Sequence, residues 1–417
     1  MHLAHLRLRD FRNYARLDAD FSPGFHLLLG DNAQGKTNIL EAVYLMATLR
    51  SFRGVGGAQM IRHVAKGYFV GGNVVGGMIP ATRNFSPAPQ RGTTTAAMVG
   101  GVEANAFPKS NPLSPALSPS DGAREPETSP RILTSHLDRE IKIYWSARER
   151  KLALDNQPVK KLADYFGALR TVVFCTEDLE LVKGSARSRR RFIDLLLAQT
   201  QPGYLALLQR YMHSVRARNA LLKARVTDEA ALESFSAELV KLGNDLIRAR
   251  RELVPKFSPL ARLAYRRISN DAEELRIEYQ PSVKHDFAVE LAQSRAREKT
   301  FRATLVGPHR DDLSLLQNGK SAAQFGSEGQ KRTLAIALKM AQAEFLTGIH
   351  GSPPVLLIDD VMGELDVKRR SGLLPLLTRS REASGQVFMT CTDENWPSEL
   401  GKELQRWTVR SGTVQRV

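Results

Sequence analysis

The residues best suited to chemistry form one short run, Gly30–Thr37, which reads GDNAQGKT. The run fits the pattern G-x-x-x-x-G-K-[S/T], with an apolar stretch before it and an apolar helical face after it. In such a phosphate loop, glycines let backbone N–H groups surround phosphate oxygens, and the helix N-terminus favours negative charge. The sequence therefore predicts that ATP phosphates are bound by Gly30, Asp31, Asn32, Ala33, Gln34, Gly35, Lys36 and Thr37.

A second candidate lies far downstream, where the apolar run Val355–Ile358 ends in Asp359 and Asp360. P-loop proteins hold Mg²⁺ through an acidic residue at the end of such a strand and through the hydroxyl that ends the phosphate loop. We therefore expect Thr37 and Asp359 to hold Mg²⁺, Lys36 to neutralise the β and γ phosphates, and Asp360 to orient or activate the attacking water. The alternative is that the two aspartates only begin a turn or cap a helix.

The third candidate is the signature segment, Phe325–Arg332, which reads FGSEGQKR. Ser327, Gly329 and Gln330 lie at a predicted helix start, where free N–H donors and a hydroxyl can face a phosphate. The same pattern also fits a helix cap with no ligand.

The spacing of these runs predicts an α/β head assembled from both ends of the chain, because the phosphate loop and the acidic strand must meet at one nucleotide. We expect residues 1–184 and 301–417 to form the head and residues 185–300 to form an inserted helical lobe. A heptad pattern from Leu232 to Leu253 predicts a paired-helix arm, closed by Pro255 and Pro259. The Pro-, Gly- and Ser-rich stretch Gly71–Pro130 is interpreted as a disordered insertion, with a partner-binding tail as the alternative.

Charge points to a polyanionic partner, since 60 Lys and Arg against 44 Asp and Glu give a net charge of +16. A basic surface that only aids solubility is the alternative. The two cysteines are too few for a disulfide framework, no apolar run is long enough to span a membrane, and no secretory signal pattern is present, so we expect a cytoplasmic protein. A dense basic cluster fits DNA phosphate contacts or a solvated helix face equally well: Arg187, Arg189, Arg190 and Arg191.

Six blocks in this order resemble an ABC-type ATPase head of the SMC-like branch, and in detail the bacterial RecF family of recombination proteins. The blocks are RDFRNY (Arg9–Tyr14), SFR (Ser51–Arg53), EDLELVKGSARSRRRFID (Glu177–Asp194), GPHRDDL (Gly307–Leu313), FGSEGQKRT and LLIDDVMGELD (Leu356–Asp366).

The resemblance implies an ATP-driven homodimer, in which Ser327, Gly329 and Gln330 of one subunit face the γ-phosphate held by Lys36 of the other, with Glu364–Asp366 at the dimer contact. It further implies ATP-dependent binding of double-stranded DNA, the partner RecR, help in loading RecA at single-strand gaps, and slow ATP hydrolysis that resets the dimer.

Several positions depart from the wider ABC pattern. Asp360 stands where transport ATPases have Glu, Gly363 replaces a Ser, and Thr390 and Thr392 follow the strand where many heads place a histidine. No glutamine is evident for the loop that usually senses the γ-phosphate. An ATPase subunit of a transporter and an SMC-like DNA-bridging protein remain the alternative functions.

Overall fold

Strands from both ends of the chain meet in one largely parallel sheet. The computed structural model describes residues 1–77, 137–226, 228–269, 273–361, 367–392 and 404–417. Of the neighbouring strand pairs in this sheet, only the edge pair formed by the last two strands of the chain is antiparallel. In spatial order the strands are β15 (Thr413–Arg416), β14 (Gln405–Arg410), β3 (Gly24–Leu29), β13 (Gln386–Cys391), β12 (Val355–Asp359) and β8 (Thr171–Phe174). The predicted α/β head built from both chain ends is confirmed.

An antiparallel sheet covers one side of the head. Its strands, in spatial order, are β2 (Tyr14–Asp20), β1 (His2–Phe11), β4 (Gly67–Gly77), β5 (Leu137–Ser146), β6 (Arg150–Leu154) and β7 (Gln157–Pro158). Along β1 the buried Leu6 and Leu8 alternate with the exposed Arg7, as the period-two pattern predicts. A small third sheet contains β9 (Leu275–Gln280), β10 (Asp312–Gln317) and β11 (Lys320–Ser321).

The start predicted for the insertion is wrong. Residues from Gly71 to Gly77 belong to β4 and pair with β1 and β5. Gly72 is suited to this strand because a Cβ there would lie 2.3 Å from the carbonyl oxygen of His5. A glycine-rich composition therefore reflects close strand packing at this point and not a loop. The remainder of the predicted insertion, 78–130, lies outside the described residues.

Helices pack on both faces of the parallel sheet. Among the described residues they are α1 (Lys36–Thr48), α2 (Leu162–Tyr165), α3 (Glu180–Lys183), α4 (Ala186–Thr200), α5 (Tyr204–Lys223), α6 (Glu229–Ser269), α7 (Phe287–Gln293), α8 (Arg295–Phe301), α9 (Ala322–Phe325), α10 (Glu328–His350) and α11 (Val367–Glu382). Short 3₁₀ turns lie at Gly57–Met60, Thr176–Leu179 and Pro308–Arg310. None of the helices in the described ranges is both long enough and apolar enough to cross a membrane.

The core is divided by the parallel sheet into two layers. Along β12, Leu357 joins the apolar cluster shared with α1 and the antiparallel sheet. Its neighbours Leu356 and Ile358 join the cluster shared with α4, α6 and α10. Because successive strand residues point to opposite faces, one buried strand serves both layers. This arrangement fixes the carboxyl ends of β3 and β12 between two packed layers.

Helix α6 corrects the predicted end of the heptad region. Pro255 and Pro259 lie inside this helix, which continues to Ser269. Each proline removes its own N–H donor and crowds the carbonyl four residues earlier, but the buried neighbours Phe257 and Ala261 keep the helix packed. The expected helix pairing is confirmed with α5, but α6 also packs against α10 and so belongs to the main core.

A buried ion pair joins the helices of the inserted lobe. Arg218 of α5 donates to Glu298 of α8 through Nη2 at 2.5 Å, and both side chains are fully buried. Arg218 also donates to Ser236 of α6 at 3.0 Å and to Thr304 at 2.9 Å. A buried guanidinium needs all of these acceptors, so the pair specifies how the three helices meet.

Replacing Glu298 with Ala should destabilise the chain by about 3–5 kcal/mol, because the Arg218 charge stays buried without its carboxylate. The measurement is urea unfolding followed by circular dichroism. Lys299→Ala is the matched control, since Lys299 forms an exposed pair with Glu229 that is worth about 0–1 kcal/mol. Equal losses in the two variants would contradict the role given to the buried pair.

Candidate functional site

The phosphate loop connects β3 to the first turn of α1, as the sequence predicts. Gly30 has φ 151° and Gly35 has φ 114°, backbone angles that residues with a side chain rarely adopt. A Cβ on Gly30 would lie 2.3 Å from the carbonyl oxygen of Val409, and one on Gly35 would lie 2.5 Å from the amide nitrogen of Asn13. Both glycines are therefore required by conformation and by space.

Lys36 lies at the start of α1 and turns its amine back over the loop. Its Nζ donates to the carbonyl oxygen of Asp31 at 2.9 Å and to that of Gly30. Burial lowers the pKa of Lys36 below the ordinary lysine value, against the opposing effect of nearby Asp360. A bound anion would stabilise the charged amine at this position.

Thr37 and Asp359 come together although they are 322 residues apart. The Thr37 hydroxyl donates to Oδ1 of Asp359 at 2.8 Å, and Thr390 donates to the same oxygen at 2.9 Å. Burial raises the pKa of Asp359 above the ordinary value, while the two hydroxyls lower it. A cation beside Asp359 would favour its ionised form.

Asp360 follows with a left-handed backbone, φ 54°, and its N–H donates to the Thr390 hydroxyl at 2.9 Å. Its side chain is exposed and lines the cleft that also contains Lys36. Thr390, which occupies the strand end where many ABC heads have a histidine, thus positions both aspartates. Gly363 and Glu364–Asp366 lie outside the described residues.

Both chain ends brace the phosphate loop. Asn13, from the RDFRNY block, donates to the carbonyl oxygen of Gln34 at 2.8 Å, and Tyr14 donates to that of Gly35 at 3.0 Å. Ser411 and Gly412 form the turn of the hairpin between β14 and β15, and their N–H groups donate to the side chain and to the carbonyl of Gln34, at 2.6 and 3.2 Å. The loop conformation therefore depends on residues that have no phosphate chemistry of their own.

A buried carboxylate in α1 was missed by sequence reasoning. Glu41 is fully buried and accepts two hydrogen bonds from Arg12, each 2.7 Å, and one from Ser51. It thereby ties the RDFRNY and SFR blocks to the helix that follows the phosphate loop. A lone acidic residue within the apolar face of a predicted helix was the available signal.

A cleft of about 700 Å³ lies at the phosphate loop. One wall is the phosphate loop, with Asp360 and Thr390 beside it. Arg53 also lines the cleft, together with a segment after α1 that sequence reasoning did not identify: Gln59, Ile61, Arg62 and His63. No residue of the signature segment is among the described residues that line the cleft.

The signature segment forms the start of α10, as predicted. The Ser327 hydroxyl accepts from the N–H of Gln330 at 3.2 Å, and the Gln330 side chain accepts from the N–H of Ser327 at 2.7 Å. Gly329 lies half-buried in the first turn, where a Cβ would lie 2.7 Å from Nη2 of Arg369. The helix cap that was one alternative is present, and the segment does not face the cleft of its own chain.

The basic cluster on α4 divides into two pairs. Arg189 forms two hydrogen bonds to the Asp312 carboxylate, 2.7 and 2.8 Å, and Arg190 donates to the carbonyl of Asp311 at 2.5 Å. Arg187 and Arg191 are exposed and share one helical face.

Arg50, which follows α1, lies near this exposed pair. Its pKa is lowered by partial burial and then by the positive charges of Arg191 and Arg187. Among the described residues, none of the three side chains has an ion-pair partner. We term Arg50, Arg187 and Arg191 the outer arginines.

The GPHRDDL block and the two cysteines have structural roles. His309 of the GPHRDDL block is half-buried, shares a hydrogen bond with Tyr211 at 2.7 Å, and has its pKa lowered by burial to about 4. Asp311 of the same block accepts from Arg250 at 2.8 Å and from the N–H of Ser282 at 2.8 Å. The block therefore holds α6 and the third sheet together. Cys175 and Cys391 are buried free thiols.

Comparison with known proteins gives the family. No family model matches the chain. The DNA replication and repair protein RecF of Symbiobacterium thermophilum is 34% identical over 433 residues, which cover 99% of this chain and 98% of that protein. The chain belongs to the RecF family. A solved structure of the recombination mediator protein RecF with ATP, in the RecFOR pathway, is 25% identical with a TM-score of 0.79, covering 100% of this chain and 97% of that chain.

The RecF-type head is related in fold to SMC heads. The Smc head domain of Pyrococcus furiosus, solved with an extended coiled coil and the C-terminal domain of ScpA, has a TM-score of 0.52 at 14% identity, covering 100% of this chain and 96% of that chain. This likeness shows that the chain shares the fold of an SMC head.

Gly30→Ala should abolish binding of inorganic tripolyphosphate, because the added methyl group collides with the Val409 carbonyl in addition to straining the backbone. Isothermal titration calorimetry measures the binding, and thermal unfolding reports stability. Gly24→Ala is the matched control, since Gly24 also has positive φ, 109°, but has no atom within 4 Å of an added Cβ. The control should lose about 1–2 kcal/mol of stability and still bind tripolyphosphate. Loss of tripolyphosphate binding in both variants would contradict the steric argument.

Proposed function

We propose that this RecF-family chain binds ATP and Mg²⁺ in the cleft of the phosphate loop. Backbone N–H groups of Gly30–Thr37 surround the phosphates, and Lys36 neutralises the β and γ oxygens. The lowered pKa of Lys36 and the raised pKa of Asp359, both caused first by burial, support this assignment. An anion beside Lys36 and a cation beside Asp359 would reverse both shifts.

Thr37 and Asp359 would hold the Mg²⁺ ion. Both offer oxygen atoms, the ligand type that Mg²⁺ prefers, and the two oxygens are 2.8 Å apart. When bound, the ion would offset the negative charge of the phosphates. Asp360 then orients or activates the attacking water. Its side chain is shorter than the usual glutamate, which suits slow hydrolysis.

The site is completed by a second copy of the chain. The observation that carries this proposal is the position of the signature segment, which forms an exposed helix start and does not line the cleft of its own chain. The segment with Ser327, Gly329 and Gln330 can therefore meet a γ-phosphate only from another subunit. ATP would then act as the link between the two heads.

The resulting ATP-closed dimer binds double-stranded DNA through phosphate contacts. The outer arginines support this, since three clustered guanidinium groups without ion pairs repel one another unless an anion joins them. Arg189 and Arg190 are engaged within the chain and are not part of this surface. The solved relative is described as a recombination mediator in the RecFOR pathway. By resemblance to the family, the dimer of this chain would act with RecR to help load RecA at single-strand gaps, and hydrolysis would reset it.

Ser327→Arg should leave ATP binding by the monomer unchanged and abolish ATP-driven dimerisation, because a long side chain would fill the space of the partner's γ-phosphate. Light scattering with a non-hydrolysable ATP analogue measures dimerisation, and anisotropy of a fluorescent ATP analogue measures binding. Lys36→Ala, which should lose nucleotide binding itself, is the comparison. Normal dimerisation of Ser327→Arg would refute the action of the signature segment between subunits.

Removing Arg187 or Arg191 should weaken binding of a gapped duplex and reduce the slope of log affinity against log salt by about 0.9 per lost phosphate contact. Fluorescence anisotropy of the labelled duplex measures both, with a non-hydrolysable ATP analogue or with ADP. Arg210→Ala is the matched control, because Arg210 is exposed but paired with Glu238. An unchanged salt slope, or equal DNA binding with the analogue and with ADP, would contradict an ATP-closed DNA clamp.

A further inference from the structure

The side chain of Gln330 is fully engaged inside its own chain. At one end its Oε1 accepts from the N–H of Ser327 at 2.7 Å. At the other end its Nε2 donates to Oε1 of Glu273, which lies just before β9. A flipped amide would place NH₂ against the Ser327 N–H and the oxygen against the Glu273 carboxylate, so only one orientation satisfies both neighbours.

Glu273 is itself fixed by two other elements. Its Oε2 accepts from Tyr265, in the last turns of α6, and from Gln317, at the end of β10. Gln317 also donates to the Tyr265 hydroxyl at 2.8 Å. Burial would raise the pKa of Glu273, but the hydrogen bonds from Tyr265, Gln330 and Gln317 outweigh it and the pKa is lowered. The carboxylate therefore stays charged and accepts from all three side chains.

The opposite side of the same helix turn is also held. Arg369, in α11, donates through Nε to the Thr333 hydroxyl at 2.8 Å, and this hydroxyl donates to the carbonyl of Gly329 at 2.9 Å. The signature segment is thus connected to α6, β10 and α11 of its own chain.

These contacts decide which groups of the helix start remain for a ligand. The N–H groups of Ser327 and Gln330 are satisfied by the cap. Among the described residues, no hydrogen-bond acceptor is found for the N–H groups of Glu328 and Gly329, which the first turn of a helix leaves without an intrahelical partner. The hydroxyl hydrogen of Ser327 is also available, because its oxygen acts as the acceptor in the cap.

We propose that Gln330 works within its own subunit and that Glu273 is the residue that positions it, so that Ser327, Glu328 and Gly329 present their donors to the partner's nucleotide. The inference rests on the proposed function, in which the signature segment completes the site of a second copy. It assigns Gln330 the role of orienting the segment and assigns the phosphate contact to the backbone and to the Ser327 hydroxyl.

The test exchanges the two side chains. Gln330→Glu places two carboxylates against each other, which no rotation of either group relieves. Adding Glu273→Gln restores every hydrogen bond of the network, and only the bond between residues 273 and 330 changes its donor. The new carboxylate at position 330 would accept from the N–H of Ser327 and from the new amide at position 273, whose oxygen would still accept from Tyr265 and Gln317. The summed charge of the pair is the same in the wild type and in the double variant.

Dimerisation is measured by light scattering with a non-hydrolysable ATP analogue, and nucleotide binding by anisotropy at protein concentrations where the chain is monomeric. Gln330→Glu should weaken dimerisation roughly tenfold or more with unchanged monomer binding, and the double variant should restore dimerisation. Glu274→Gln is the matched control, because the neighbouring Glu274 is exposed and takes no part in this network, and it should behave as the wild type.

Two results would overturn the inference. Normal dimerisation of Gln330→Glu would mean that the network does not position the segment, and a double variant as poor as the single one would mean that Gln330 itself meets the partner's nucleotide. If Gln330→Glu does not fold, Glu273→Asp replaces it, and unchanged dimerisation of that variant overturns the inference. Ser327→Arg separates the two proposals, because its normal dimerisation would refute the contact between subunits whatever the exchange shows.

Discussion

The hydrogen bond between Thr37 and Asp359 constrains the path of the whole chain. It can form because β3 and β12 are parallel strands separated only by β13, so their carboxyl ends lie at one edge of the sheet. The chain between them has to leave this edge and return to it. The antiparallel sheet and the helical lobe are packed on opposite faces of the parallel sheet and hold its strand ends in place.

This arrangement explains the role of several sequence blocks that have no reactive groups. Asn13 and Tyr14 support the carbonyls of the phosphate loop from one side, and the turn at Ser411 and Gly412 supports Gln34 from the other. Glu41, in the helix that follows the loop, accepts hydrogen bonds from Arg12 and Ser51. A loop that must present its N–H groups to phosphates needs its carbonyls satisfied elsewhere, and both chain ends supply those donors.

Charge in this chain has to be judged by its partners. The four arginines of α4 look equivalent in sequence, yet Arg189 and Arg190 secure the strand that begins at Asp312, and only Arg187 and Arg191 stay exposed near Arg50. The signature segment shows the same division. The Gln330 amide donates to Glu273, while no acceptor is found among the described residues for the first-turn N–H groups of Glu328 and Gly329. In both places, internal hydrogen bonds select the groups that are left for a ligand.

Local sequence was sufficient to predict the phosphate loop, the acidic strand end, the signature helix start and the pairing of the heptad helix. These features depend on neighbours within a few residues, through side-chain period, glycine conformation and capping. Tertiary contacts were needed to show that α6 continues through Pro255, that residues from Gly71 to Gly77 form a strand, and that Glu41 and Glu273 anchor distant blocks. Each of these depends on packing or hydrogen bonds between residues distant in the chain, whose energies outweigh local propensity, and a local pattern does not name the distant partner.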